Sequence, residues 1–251
     1  MPDKPPILRT VDVNHAFGMV VAADNLNVTI DTGEMIGIVG ANGSGKTTFL
    51  NLITGYITPN TGQVLFMGQD ITGLPPRSVT KLGVARSFQI PQLYSNMTVL
   101  EGMLLSLAAA DGQASSFWKP IHQASRVSEG RGTLDNFGLE VYADRTIGEL
   151  PEGSRKLLDI ALSFALKPKL LLMDEPTSGV SVEDKFQVMD TLVKVLQQSD
   201  ITAVFVEHDM EVIQRYSERV FVFGTGRVIA DGTPEHVLAD PEVKKTVLGH
   251  L

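Results

Sequence analysis

The sequence predicts an α/β fold: a mostly parallel sheet, an N-terminal antiparallel β subdomain and a helical insertion. Three observations carry that reading. Gly40-Ala41-Asn42-Gly43-Ser44-Gly45-Lys46-Thr47 is a G-x-x-x-x-G-K-T loop between the apolar run Met35 to Val39 and a helix-like segment, Thr48 to Ile57. Met35 to Val39, Leu170 to Met173 and Ala203 to Val206 are short continuous apolar runs, each followed by a helical pattern. Such runs suit parallel strands buried on both faces and joined by right-handed crossovers. Leu26, Val28 and Ile30 instead alternate with Asn27 and Thr29, the period of a half-buried antiparallel strand.

In chain order, Val64 and Phe66 extend the antiparallel part. Thr98-x-x-Glu101 reads as a capping box opening a helix that runs through Ala110. Asp111 to Ser116 and Glu129 to Thr133 are rich in Gly and Ser and read as loops, with a helix between them and another from Ser154 to Leu166. Residues 95–168 are therefore expected to form a helical insertion, signature loop included, into a core made of 1–94 and 169–251. Together they make a single nucleotide-binding domain, 1–251. Val182 to Gln198 places Phe186, Met189, Val193 and Leu196 on one helical face, and Met210 to Tyr216 is a further helix. Val220 to Phe223 and Arg227 to Ala230 form a hairpin about Gly224-Thr225-Gly226, and Pro234 after Thr233 starts a terminal helix.

Composition narrows the function. With 251 residues the chain can bury a large core. A formal net charge of −8 argues against a broad nucleic-acid footprint, so no nucleic-acid partner is expected. There are 0 cysteines, hence no disulfides or thiolate metal sites. No signal-peptide segment follows Met1, and the longest apolar candidate, Leu157 to Met173, is broken by Asp159 and Lys167-Pro168-Lys169.

The chemistry begins at the glycine-rich loop. Gly40, Gly43 and Gly45 permit backbone conformations that let successive N–H groups, including those of Asn42, Ser44 and Thr48, point at phosphate oxygens. The following helix adds its N-terminal dipole. Lys46 reaches the β- and γ-phosphates, and the Thr47 hydroxyl can ligate Mg²⁺. Downstream, the strand Leu170 to Met173 ends in Asp174-Glu175, two carboxylates at the sheet edge where ligands bind in open α/β folds. Asp174 suits Mg²⁺ held through water, and Glu175 suits orienting or deprotonating the attacking water. The expected cofactors are ATP and Mg²⁺.

With those motifs the chain resembles the ATP-binding subunits of ABC transporters over nearly its whole length, which implies a P-loop ABC ATPase core. Gln89 in Ala85-Arg86-Ser87-Phe88-Gln89 and His208 in Val206-Glu207-His208-Asp209 complete the pattern. The resemblance implies that Gln89 contacts Mg²⁺ or water and couples nucleotide to the membrane partner. It implies that His208 bonds the γ-phosphate, and that Phe17 stacks on adenine through its ring face. The family signature, usually Leu-Ser-Gly-Gly-Gln, is here Leu150-Pro151-Glu152-Gly153-Ser154, so Leu150 and Gly153 are the residues expected to face nucleotide bound by a second ATPase subunit. Pro151 lacks both hydroxyl and N–H, and Glu152 adds negative charge. Ser178-Gly179-Val180-Ser181 also departs from the family, with serine where aspartate is common. These departures predict an asymmetric dimer with one competent and one weakened site.

Within that family, Val84 to Tyr94, Asn96 to Glu101 and the tail Arg227 to Pro234 resemble ATPases of branched-chain amino acid importers. The resemblance implies transmembrane permease subunits, a second ATPase subunit, a periplasmic or extracellular solute-binding protein, and a place on the cytoplasmic face of the membrane. It further implies that a permease loop docks on an apolar groove near Ile90 to Val99. A lipopolysaccharide-extracting ATPase and a soluble non-transport ABC ATPase are the alternative functions.

Overall fold

The computed structural model describes residues 5–87, 95–112 and 122–248. Its first layer is antiparallel: β1 (Leu8–Phe17), β2 (Val20–Leu26), β3 (Thr29–Ile30), and, beyond β4 (Met35–Gly40) and α1 (Lys46–Ile53), β5 (Thr61–Phe66) and β6 (Gln69–Asp70). These make a 5-stranded sheet in the order β2-β1-β5-β6, with β3 on β1. α2 (Pro76–Leu82) and β7 (Val84–Ser87) lead to the helices α3 (Val99–Ala110), α4 (Ala124–Asn136) and α5 (Glu152–Ala165). Then follow β8 (Leu170–Asp174), α6 (Val182–Gln197), β9 (Thr202–Val206), α7 (Met210–Tyr216), β10 (Arg219–Gly224), β11 (Arg227–Gly232), α8 (Pro234–Ala239) and α9 (Pro241–Leu248).

The second sheet has 6 strands in the order β11-β10-β4-β9-β8-β7, parallel except for the β10–β11 hairpin. Its apolar runs are continuous because both faces are covered. Leu170 and Leu172 join the core shared with α1 and the antiparallel sheet, whereas Leu171 and Met173 join the core shared with α3 to α7. All four are fully buried. Truncating one such leucine to alanine costs about 2–5 kcal/mol.

Besides α2, β6, β7 and α9, where no element is expected, three elements differ from expectation. The ten-residue β1 lies where no strand is predicted, because Arg9, Asp12 and Asn14 interrupt the apolar pattern. Register shifts between Val11 and Asn14, and a left-handed Asp12 (φ 46), show the bulging that hides its period. Leu26, Val28 and Ile30 are all buried as their alternation predicts, but they do not form one strand: Leu26 ends β2, Val28 lies in the connection and Ile30 belongs to β3. Glu129 to Thr133, expected as a loop, lies inside α4. Gly130 is there for close packing: an added Cβ would stand 3.3 Å from Met103 Cγ and 3.4 Å from Leu104 Cδ2 on α3. The Thr98 capping box forms as expected, with Thr98 N donating to Glu101 Oε2 at 2.8 Å and Glu101 N to Thr98 Oγ1 at 3.1 Å.

Strand register fixes the site. Ile38 of β4 pairs with Val206 of β9, and Val206 pairs with Asp174 of β8. The segments that leave these three adjacent strands therefore meet at one carboxyl edge of the sheet.

Candidate active site

The loop after β4 is shaped by three left-handed or strained glycines, two of which leave no room for a side chain. Gly40 has φ 152, and an added Cβ would lie 2.4 Å from Phe223 O; Gly45 has φ 107, with Ala22 O 2.6 Å from the same position. Gly43 is also left-handed, φ 77, but opens to space. The result is a bed of main-chain N–H groups at the start of α1, suited to anions. Lys46 is nearly buried and donates from Nζ to the carbonyls of Gly40, at 2.7 Å, and Ala41, at 3.0 Å. Burial lowers its pKa from the ordinary lysine value, while Glu175 and Asp174 act in the opposite direction.

A cleft of about 510 Å³ joins Val20, Val21 and Ala22 of β2 to Asn42, Gly43, Ser44, Gly45, Lys46, Thr47 and Thr48, with Glu175 and His208 on its rim. His208 Nε2 lies 2.9 Å from Glu175 Oε1. Glu175 takes a left-handed backbone conformation (φ 51), held by its N–H donating to Val206 O at 2.9 Å. Glu207, buried at 4% exposure, accepts from Thr177 N at 2.9 Å and Thr177 Oγ1 at 2.7 Å. Desolvation raises the Glu207 pKa against the lowering pull of the Thr177 and His208 N–H bonds. On the other side of His208, Asp209 N-caps α7 and pairs with Lys185 of α6. Both neighbours of the histidine are thus tied to the segment that follows Glu175.

Asp174 is paired with Arg86, Nη2 to Oδ2 at 2.6 Å, and Arg86 Nη1 also donates to Asn51 Oδ1 on α1 at 2.6 Å. Among the described residues there is no cluster of three or more His, Cys, Asp or Glu suited to a metal. The donors present, the Thr47 hydroxyl and the Asp174 carboxylate, fit instead a Mg²⁺ that takes one or two protein oxygens and fills its remaining positions with phosphate oxygens and water.

The expected residues divide by place. Asn42 to Thr48, Glu175 and His208 share the cleft, while Gly40 supports it from below through Lys46. Phe17 stands on the neighbouring strand, paired with Val20, half exposed and edge-on to His15 at 4.6 Å. Leu150 and Gly153 lie elsewhere: Leu150 is buried in the helical core, and an added Cβ on Gly153 would be 3.6 Å from Val180 Cγ1. Gln89 and the groove residues Ile90 to Tyr94 lie outside the described residues. Sequence reasoning missed Val20 to Ala22, Arg86, Lys156 and Glu207, whose partners are distant along the chain. Glu152, expected to bring charge toward a partner's phosphate, turns onto its own chain: a Cβ at Gly179 would lie 2.4 Å from Glu152 Oε1.

Phosphate loop, paired carboxylates and histidine at one edge of a mixed sheet, beside an antiparallel sheet and a helical layer, define a nucleotide-hydrolysing ATP-binding cassette. The chain belongs to the ABC transporter family, whose model matches residues 23–178, more than half of it. Members of this kind hydrolyse ATP coupled to transport. A similar protein is the probable branched-chain amino acid transport ATP-binding protein LivG of Archaeoglobus fulgidus, 32% identical over 249 residues, covering 97% of this chain and 95% of the relative. Among solved structures, the ADP conformation of MJ1267, an ATP-binding cassette of an ABC transporter, superposes with a TM-score of 0.87 at 31% identity, over 98% of this chain and 99% of that one. The dimeric post-hydrolysis cassette MJ0796 bound to ADP and Pi gives a TM-score of 0.77 at 25% identity, over 90% and 98%. No helix among the described residues is long and apolar enough to cross a membrane.

Proposed function

We propose that this chain hydrolyses Mg-ATP to drive an importer for branched-chain or related amino acids, working at the cytoplasmic face of the membrane. The observation that carries the hydrolytic reading is the 2.9 Å contact of His208 with Glu175 on the rim of the phosphate cleft. The names of the relatives carry the substrate class.

In this reading the N–H groups of Asn42 to Thr48 wrap the β- and γ-phosphates, and the adenine stacks on Phe17. Lys46 leaves the Gly40 and Ala41 carbonyls for the phosphate oxygens, where its charge is better compensated. Thr47 and, through water, Asp174 would hold Mg²⁺, with Gln89 contacting the ion or its water as the resemblance implies, and the ion would supply neutralisation of phosphate charge. Glu175 orients or deprotonates the water in line with the γ-phosphate, and His208 holds both that phosphate and the carboxylate. Gly153, off the cleft, faces nucleotide bound by a second ATPase subunit, while Leu150, buried in the helical core, anchors the loop before it. Closure of that dimer is passed through residues 95–168 to the permease subunits, with Gln89 given the coupling role that the family resemblance implies, and a periplasmic or extracellular binding protein delivers the solute.

The test is reconstitution. The subunits that co-purify with the chain are placed in proteoliposomes and ATP-dependent uptake of labelled leucine, isoleucine and valine is measured, alongside Glu175→Gln. Uptake lost with Glu175→Gln is the expected result. ATP hydrolysis without uptake of any of the three would refute the importer assignment.

A further inference from the structure

Lys156 lies one turn into α5, the helix that starts at the signature loop, and its side chain is almost wholly buried at 5% exposure. Its Nζ donates to Ser178 Oγ at 3.0 Å and stands 3.5 Å from the Glu175 carbonyl oxygen. Burial lowers its pKa, and Asp159, Glu175, Glu152 and Glu207, in that order, act to raise it. A buried ammonium persists only where such groups compensate it. Here they come from α5 itself, from the segment after β8 and from the end of β9.

Glu152 is four residues before Lys156 and so shares its helix face. Its carboxylate lies against Gly179, next to the serine that Lys156 bonds. One face of the signature helix therefore grips Ser178 and Gly179. Their loop begins at Glu175, whose left-handed backbone needs outside support. Ser178 N also donates to the Glu175 carbonyl, at 3.1 Å. On the opposite side, Glu207 fixes Thr177. The loop is held between a clamp beside the sheet and a cation on a helix whose start, Pro151 and Glu152, is exposed.

We propose that Lys156 is a positioning residue for hydrolysis, tying the signature helix to the backbone of Glu175, so that engagement of α5 by a partner's nucleotide is transmitted to this chain's own water-orienting carboxylate. The inference rests on the role given to Glu175 above. A hinge of this kind acts on turnover rather than on ATP binding, because the contacts of Lys156 with Ser178 and with the Glu175 carbonyl lie in the loop that carries the water-orienting carboxylate.

The experiment compares Lys156→Met, Ser178→Ala, the double variant and Glu175→Gln in the full chain, purified with its accompanying subunits, by steady-state ATPase and equilibrium ATP binding. Lys156→Met is expected to lower kcat by about tenfold to a hundredfold, with ATP affinity within about twofold of wild type. Ser178→Ala, which removes the acceptor without stranding a charge, should lower kcat by a few-fold, and the double variant should be no slower than Lys156→Met alone. Wild-type kcat in Lys156→Met while Glu175→Gln is inactive would overturn this inference alone; wild-type kcat in Glu175→Gln would overturn the role of Glu175 itself. Should Lys156→Met lose affinity and melting temperature together with kcat, Lys156 is merely structural and the inference falls. If that variant cannot be folded, Ser178→Ala decides, with an unchanged kcat counting against the tie.

Discussion

The phosphate loop and the signature loop are both short, both open a helix and both are read in this family as phosphate contacts, yet they are built on opposite plans. The first is finished within the chain: Gly40 and Gly45 abut backbone where no side chain fits, and Lys46 already holds two carbonyls. The second is a helix start at Pro151-Glu152 whose acid turns back on Gly179 and whose buried lysine serves Ser178. A site made of main chain is insensitive to its surroundings. A site made from a helix start held by side-chain contacts across the fold depends on them, and the departures from the family pattern fall at this loop and at the Ser178 to Ser181 segment it packs on.

The sharpest way to break that contrast is at Glu175. Glu175→Gln should reduce kcat by about 10²–10⁴-fold, while ATP still binds; parallel loss of binding, seen in a nucleotide titration, would place the carboxylate in the ground-state site instead. Next in size is Gly45→Ala. Its Cβ would meet Ala22 O at 2.6 Å in a left-handed conformation, so a melting curve should show about 1–3 kcal/mol of lost stability, with weakened ATP affinity. If the signature side is the weakened partner, Pro151→Ser, which restores a hydroxyl and an N–H while leaving Glu152 on Gly179, should raise ATPase turnover by a few-fold, and an unchanged rate would remove the asymmetry. The smallest effect concerns Glu207. Its raised pKa means that the folded chain holds the proton more tightly than the unfolded one. That contribution to stability is complete below the ordinary glutamate value and is lost as pH rises through the raised folded value. Relative to wild type, Glu207→Gln should therefore gain melting temperature as pH rises through that interval; a pH-independent difference would show that Glu207 does not titrate there.

Local signals were legible and remote pairings were not. The glycine spacing of 40–47, the apolar run ending in Asp174-Glu175 and the capping box at Thr98 are each contained in a few consecutive residues, so one pass along the sequence finds them. Continuous apolar strands likewise announced a sheet covered on both faces. By contrast β1 is bulged, Gly130 serves helix packing in a setting that reads as a loop, and the Arg86–Asp174 pair spans 88 residues. The Glu207–Thr177 clamp spans 30 residues and depends on β8 and β9 being neighbours. Nor does the sequence tell which way Glu152 turns, since an acid in a first helical turn is satisfied by the helix N-terminus alone. Its placement over Gly179 comes only from the packing of α5 on the segment after β8.

Everything turns on whether the cleft is half of a site. The direct measurement is the mass of the Glu175→Gln chain together with its co-purifying ATPase subunit, by analytical ultracentrifugation with and without Mg-ATP, paired with the concentration dependence of wild-type turnover. Mg-ATP should drive association of the ATPase subunits, and specific activity should rise with concentration. Tight ATP binding with no change in mass, and turnover per chain constant on dilution, would mean that this chain completes its site alone.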